Sequence, residues 1–416
     1  MDSPKEEAQK PDQFAAFRHS SYARYFGARF CSATAVQIMA TTIGYHLYDL
    51  TGNALLLGYI GLVQFLPAVI LVIPAGLASD RIGRRFIMGA AIWLEMLCAL
   101  AILALALLTD FNAIAVLIAL TVFGVARAFY GPASASLAVN LVPKKDFANA
   151  VGWNTATWQL AHILGPALGG VLHLISPAVA YAVTAILLLA SGALIFSIPK
   201  PKQVIKAEPP SLSTLLRGFT YVWREKVVLG AISLDLFAVM LGGAVALLPI
   251  YAKDILEIGE LGNGLLRSSP AIGAVIMLIV LTRFPIKDHA GVILLATVAM
   301  FGLATMVFGF SVLPWLSILA LMLIGAFDMI SVYIREVILQ LWTPDEVRGR
   351  VNAVNSIFLG ASNELGDFRA GVFAALFGAV FTVTAGGIAA IAVAGLSAIL
   401  FPQMAKIRSL TEAPDH

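Results

Sequence analysis

The sequence predicts an all-α integral membrane protein with twelve transmembrane helices in two pseudo-symmetric six-helix bundles. Three observations predict it. Of 416 residues, 60% are hydrophobic and 12% charged, about half the ~25% charged share of a water-soluble domain. Apolar runs of about twenty residues, the length that crosses a hydrocarbon core, recur along the chain. Lys and Arg gather on alternate connections between those runs.

A soluble globule of this length would have to hide nearly every side chain, which its surface area forbids. Lipid lifts that constraint. The runs are continuous rather than alternating, so they read as helices, whose backbone is satisfied internally. The first six are centred near Gln37, Leu66, Met96, Arg127, Trp158 and Leu187, and the second six near Val239, Val275, Ala299, Asp328, Asn363 and Ala390. The residues before the first run are polar, with no short apolar stretch leading to a small-residue cleavage site, so no cleaved signal peptide is expected. Cys31 and Cys98 lie inside apolar runs and read as small hydrophobes.

Placing both termini in the cytoplasm leaves Lys253 as the one basic residue in the opposite loops, out of 27 Lys and Arg. Arg29, Arg127, Arg267, Arg335 and Arg369 fall within or at the edges of spans, and the rest lie on the cytoplasmic side. An odd number of spans would destroy this separation. The expected location is a bacterial inner membrane, crossed many times.

The division of the chain follows. Residues 1–24 form a cytoplasmic segment and 25–198 the first bundle. Residues 199–227 form a cytoplasmic linker, 228–402 the second bundle, and 403–416 a cytoplasmic tail. Pro199, Pro201, Pro209 and Pro210 make the start of the linker extended. Leu212, Leu215, Leu216, Phe219, Val222 and Trp223 then recur at helical spacing, which suits an amphipathic helix on the membrane surface. The halves look related. A shift of 201 positions lays Val142-Pro143 on Thr343-Pro344, Asn154 on Asn355, Gly165 on Gly366 and Gly170 on Gly371, the mark of an internal repeat.

Three segments carry a family resemblance. Gly76-Leu-Ala-Ser-Asp80-Arg81-Ile-Gly83-Arg84-Arg85 resembles the loop signature between helices 2 and 3 of the major facilitator superfamily. Arg127-Ala-Phe-Tyr-Gly131 resembles its fourth-helix motif, and Gly165-Pro166-Ala-Leu-Gly169-Gly170 the fifth-helix motif of its antiporter branches, with Ala161 where that motif has an earlier glycine. The second half has no clean copy of the loop signature, since Phe284 stands at its glycine position. The segments 247–252, 348–355 and 361–366 look like the branch containing the enterobactin exporter and macrolide efflux pumps. That resemblance implies the major facilitator fold, alternating access, and proton-driven export of an amphiphilic small molecule, siderophore or drug-like. An importer of a nutrient or lysolipid with the same fold, and a non-transporting receptor or scaffold, are the alternatives.

Candidate site residues follow from chemistry and from the resemblance. Gly76 and Gly83 allow a tight turn. Asp80 suits a helix N-terminus, and Arg81, Arg84 and Arg85 suit carboxylates or lipid phosphates. The resemblance makes this loop a latch between the halves. A charge at mid-membrane costs roughly 2.5–3.5 kcal/mol on insertion scales, so each needs a partner or a wetted cavity. Arg127 and Asp328 are equivalent under the 201-residue shift, and a pair between them, or a joint substrate site, across a central cavity is one expectation; satisfaction of each within its own half by neighbouring backbone or polar side chains is the other. Glu364 and Asp367 share a helix face, and two carboxylates that close, out of water, should share a proton, which suits proton coupling. Asp235 and the more peripheral Glu95 are further candidates. Pro166 removes a backbone donor, while Gly165, Gly169 and Gly170 permit close helix approach, so this run is read as a pivot. Gln37, Thr41 and Tyr45, with Tyr130 and Ser134, form polar stripes that suit substrate lining or interhelical hydrogen bonds.

Enzyme signatures are absent: no HExxH, P-loop lysine motif or dinucleotide fingerprint. His46, His162 and His173 are not spaced as metal ligands. No cofactor, metal or nucleic-acid partner is expected; a monomer acting on a small molecule in lipid is.

Overall fold

A computed structural model describes residues 12–108, 111–200 and 219–408, without the side chains of Val72, Ile73, Asp80, Asp345 and Glu346. Twelve long helices run along it. The first six are α1 (Ser20–Thr51), α2 (Ala54–Ile82), α3 (Arg84–Leu107), α4 (Ala113–Ala138), α5 (Phe147–Ile175) and α6 (Pro177–Ser197). The second six are α7 (Lys226–Gly242), α8 (Gly259–Arg283), α9 (Ala290–Phe310), α10 (Pro314–Leu341), α11 (Asp345–Phe377) and α12 (Ala379–Leu400). Among the described residues, ten spans are long and apolar enough to cross a membrane. Helices α1 and α11 fall short because they carry many of the polar and charged side chains. Exposed Ile70, Leu97, Ile118, Ile186, Leu376 and Ile399 suit a lipid-facing belt. Of the linker's amphipathic stretch, 219–224 is helical and the residues before it lie outside the described ones.

Local sequence sets the turns. The side chains of Asn53, Asn112 and Ser176 accept hydrogen bonds from the first N–H groups of α2, α4 and α6, satisfying donors that a helix start leaves orphaned. Gly83 alone separates α2 from α3, at φ 123, a conformation that side chains rarely tolerate. Helix α7 breaks after Gly242 and resumes as short helical turns over Val245–Leu247 and Leu248–Ile250, followed by a π-helical turn over Tyr251–Ile255.

The two halves pack by the same plan. In the first, α1 packs on α5 and α6, α2 on α4, and α3 on α4 and α6. In the second, α7 packs on α11 and α12, α8 on α10, and α9 on α10 and α12. Glycines equivalent by the 201-residue shift do equivalent work. Gly165 seats α5 on α1 beside Gln37, and Gly366 seats α11 on α7 beside Met240. Gly124 lets α4 meet α2 at Gln64, and Gly325 lets α10 meet α8 at Pro270.

Between the halves, α5 meets α8 and α2 meets α11. These crossings, too, are glycine pairs, Gly170 with Gly264 and Gly371 with Gly58. Both lie toward the α1–α2 and α7–α8 connections, away from the basic loops. Gly152 lies on the same face of α5 as Gly170, five turns or about 27 Å earlier, yet a Cβ there would meet nothing within 4 Å. Gly349, near the start of α11, is equally open. The crossings thus splay toward the basic end.

Candidate functional site

The polar contacts between the halves gather at the end where the bundles meet. Lys253 Nζ stands 2.7 Å from Asp49 Oδ1 and donates to its carbonyl oxygen. The Tyr48 hydroxyl donates to Asp254. Asn263 donates to the Thr41 carbonyl at 3.3 Å, and Ser268 to the Ile163 carbonyl at 2.8 Å.

Deeper in the joint, ionisable groups from both bundles converge. A Cβ on Gly61 of α2 would stand 2.7 Å from Glu364 Oε2, so this carboxylate lies against the opposite bundle. Asp367 packs on the same glycine and faces the backbone of Ala246, just past the break in α7. Arg267 of α8 is within electrostatic reach of both carboxylates, and Arg127 of α4 within reach of Glu364. His162 of α5 feels both arginines. Its Nδ1 lies 2.9 Å from the Trp158 carbonyl, which can only accept. The ring proton therefore sits on Nδ1, and Nε2 accepts from the Gln37 amide at 2.7 Å.

Two further charged groups lie inside the bundles. Arg127 Nη1 is 3.9 Å from Glu95 Oε1, with the guanidinium 5.2 Å from the centroid of the Tyr130 ring. Arg335 Nη1 is 2.6 Å from Asp235 Oδ2, both groups buried. Asp328 lies beside this pair, in a small cavity shared with Asp235, Thr297 and Ser331.

These positions correct the expected Arg127–Asp328 pair. Each residue finds counter-charge in its own bundle, Arg127 at Glu95 and Asp328 near Arg335. The equivalence of the two positions reflects the repeat, and the repeat also supplies each with neighbours of its own.

The expected substrate stripe is corrected in part. Ser134 is buried, and its oxygens meet Tyr25 and Arg29, so it knits α4 to α1. Tyr45 is buried in the apolar cluster where the bundles meet and packs edge-on against His173. Thr41 is buried, with its hydroxyl bonded back to the Gln37 carbonyl. Gln37 and Tyr130 remain beside the ionisable cluster.

Two arginines of the expected latch loop make hydrogen bonds within their own bundle. Arg84 donates to the Ser136 carbonyl and Arg85 to that of Ile198, capping the ends of α4 and α6. Arg81 is exposed, and the Asp80 side chain lies outside the described residues. In the fifth-helix run, Gly165 and Gly169 pack on α1, while Gly170 and the Pro166 carbonyl meet Gly264 across the joint. Sequence reasoning gave no role to Arg267, Arg335 or His162. Their signal was present as ionisable groups within spans, and only the rotation of each helix assigns them partners. Among the described residues no cluster of His, Cys, Asp and Glu has metal-binding geometry.

The profile of the Major Facilitator Superfamily matches residues 25–361. The chain is 26% identical to the Multidrug efflux pump Tap of Mycolicibacterium fortuitum, over 78% of its own length and 81% of the pump's. It is 24% identical to the Enterobactin exporter EntS of Citrobacter koseri, over 66% of each chain. The crystal structure of a D-xylose-proton symporter superposes with a TM-score of 0.70 at 15% identity, covering 94% of this chain and 99% of that one, a likeness of fold.

Proposed function

Because the chain belongs to the Major Facilitator Superfamily, we propose that it is a proton-coupled exporter of an amphiphilic small molecule, working by alternating access across a bacterial inner membrane with its basic loops in the cytoplasm. The observation that carries this reading is the placement of Glu364 and Asp367. They stand at the joint between the bundles, against Gly61 of the opposite half and within reach of Arg267. Carboxylates there sense both the proton and the rocking of one bundle on the other. A proton taken up at this pair alters the electrostatics of the joint and biases which side is open. Arg127, Gln37, His162 and Tyr130 lie beside this cluster, and in this reading they supply the mixed aromatic and polar contacts that suit an amphiphile. The glycine crossings serve as pivots, and the 76–85 loop latches the basic end when it closes. Likeness to a multidrug pump and a siderophore exporter supports the class of cargo and the outward direction.

The test is flux through proteoliposomes under an imposed pH gradient, across siderophores, macrolides and lysolipids. Export of at least one class, driven by the gradient and lost in E364Q/D367N, is the expected result. Accumulation in the import direction, or flux indifferent to both the gradient and the double substitution, overturns the reading.

A further inference from the structure

Glu95 stands apart from the joint. Its side chain is fully buried in α3, and neither carboxylate oxygen has a hydrogen-bond partner. Its counter-charge is Arg127, at 3.9 Å, too far for a hydrogen bond. The other titratable groups facing it are Tyr130 of α4 and Cys98 of its own helix. From α6, Gly192 and Phe196 pack against Trp93 of the same helix as Glu95.

Arg127 is not committed to this partner. Its side chain is 30% exposed, it lies over the Tyr130 ring, and it is also within reach of Glu364 in the opposite bundle. One guanidinium thus stands 3.9 Å from a carboxylate of its own bundle and within electrostatic reach of one in the other. An enclosed carboxylate deprived of its counter-charge is strongly unfavourable and neutralises by binding a proton.

Resting on the proton-coupled reading, we infer that Glu95 is a second proton-carrying residue, ionised while Arg127 stands beside it and protonated when Arg127 turns to Glu364 or to an anionic group of the cargo. The proton is taken up as hydronium from solvent at the open, basic end, forms the O–H bond of the Glu95 carboxyl, and is released to solvent as hydronium when Arg127 swings back. The switch couples a carboxylate enclosed in the first bundle to the charge state of the second.

Infrared difference spectroscopy on the full-length protein in lipid vesicles tests this without any transported molecule. A protonated-carboxyl band that changes with pH is expected in the wild type, with one component missing in E95Q. At a fixed neutral pH, R127Q should enlarge that component and R127K should leave it near wild type. E364Q, which leaves Glu95 and its surroundings intact, should diminish it, because Arg127 then has no competing partner. A spectrum unchanged by E95Q, or a Glu95 component indifferent to both R127Q and E364Q, overturns the inference. Since these bands do not depend on flux, the export reading can fail in proteoliposomes while the switch stands, and the reverse.

Discussion

Gly371 of α11 crosses Gly58 of α2 so closely that a Cβ on Gly371 would stand 2.6 Å from the Gly58 Cα. Its mate in the repeat, Gly170, crosses Gly264 of α8 in the same manner. The bundles therefore meet at two glycine–glycine contacts related by the pseudo-symmetry. Such contacts let backbones approach closely without interlocking side chains, which suits the opening and closing proposed for this joint.

Substituting Val at Gly371 should wedge this crossing apart. Overpacking costs typically about 1–3 kcal/mol, and here the strain falls on the contact between bundles rather than on either bundle. In a background with Cys31 and Cys98 replaced, a thiol at Ala54, whose carbonyl faces Gly371, should react faster with an impermeant maleimide in G371V than in the parent. Equal rates would show that the crossing does not hold this end closed.

Gly325 and Gly131 should behave oppositely. A Cβ on Gly325 would collide with the Pro270 carbonyl, whereas one on Gly131 meets nothing within 4 Å. G325A should lower stability by about 1–3 kcal/mol. G131A should be neutral or raise it by roughly 0.5–1 kcal/mol, the usual gain of Ala over Gly within a helix. Thermal unfolding in detergent reads both.

The Asp235–Arg335 pair, 2.6 Å apart and buried, should be far more sensitive to single than to double substitution. D235N leaves a buried guanidinium without its carboxylate, a loss of about 3–5 kcal/mol for pairs of this kind. D235N/R335Q removes both charges of the pair and, with Asp328 free to take up a proton once Arg335 is gone, should recover part of that loss. Denaturation of the three variants against the parent measures it.

Arg127 and Asp328 answer to different neighbours, so R127Q and D328N should destabilise additively, within about 0.3–0.5 kcal/mol. A larger coupling in the double-mutant cycle would restore the direct pair that these positions do not form here.

The lattice of spans, the side bearing the basic loops and the twofold repeat were all legible from residues. Hydrophobic run length, Lys and Arg placement, and a handful of aligned glycines are properties of the chain in order. The family motifs were legible as well, and Glu364 and Asp367 were placed on one helix face by spacing alone. The partner assignments were not. Arg127 and Asp328 have matching rank in the two halves, which suggested that they face each other. Glu95 was discounted as peripheral, although it is fully enclosed beside Arg127.

What the sequence by itself determined is therefore one-dimensional: how many helices there are, how they repeat, and which carry ionisable groups into the membrane. Only the tertiary structure decided which of those groups meet. Periodicity fixes the side chains on a helix relative to one another but leaves the helix free to rotate about its axis. That freedom ends where Gly165 seats α5 on α1 and Gly366 seats α11 on α7, because steric contact between backbones sets rotation and separation together. Once those seats are taken, Arg127 can reach Glu95, and Asp328 is left to the neighbourhood of Arg335.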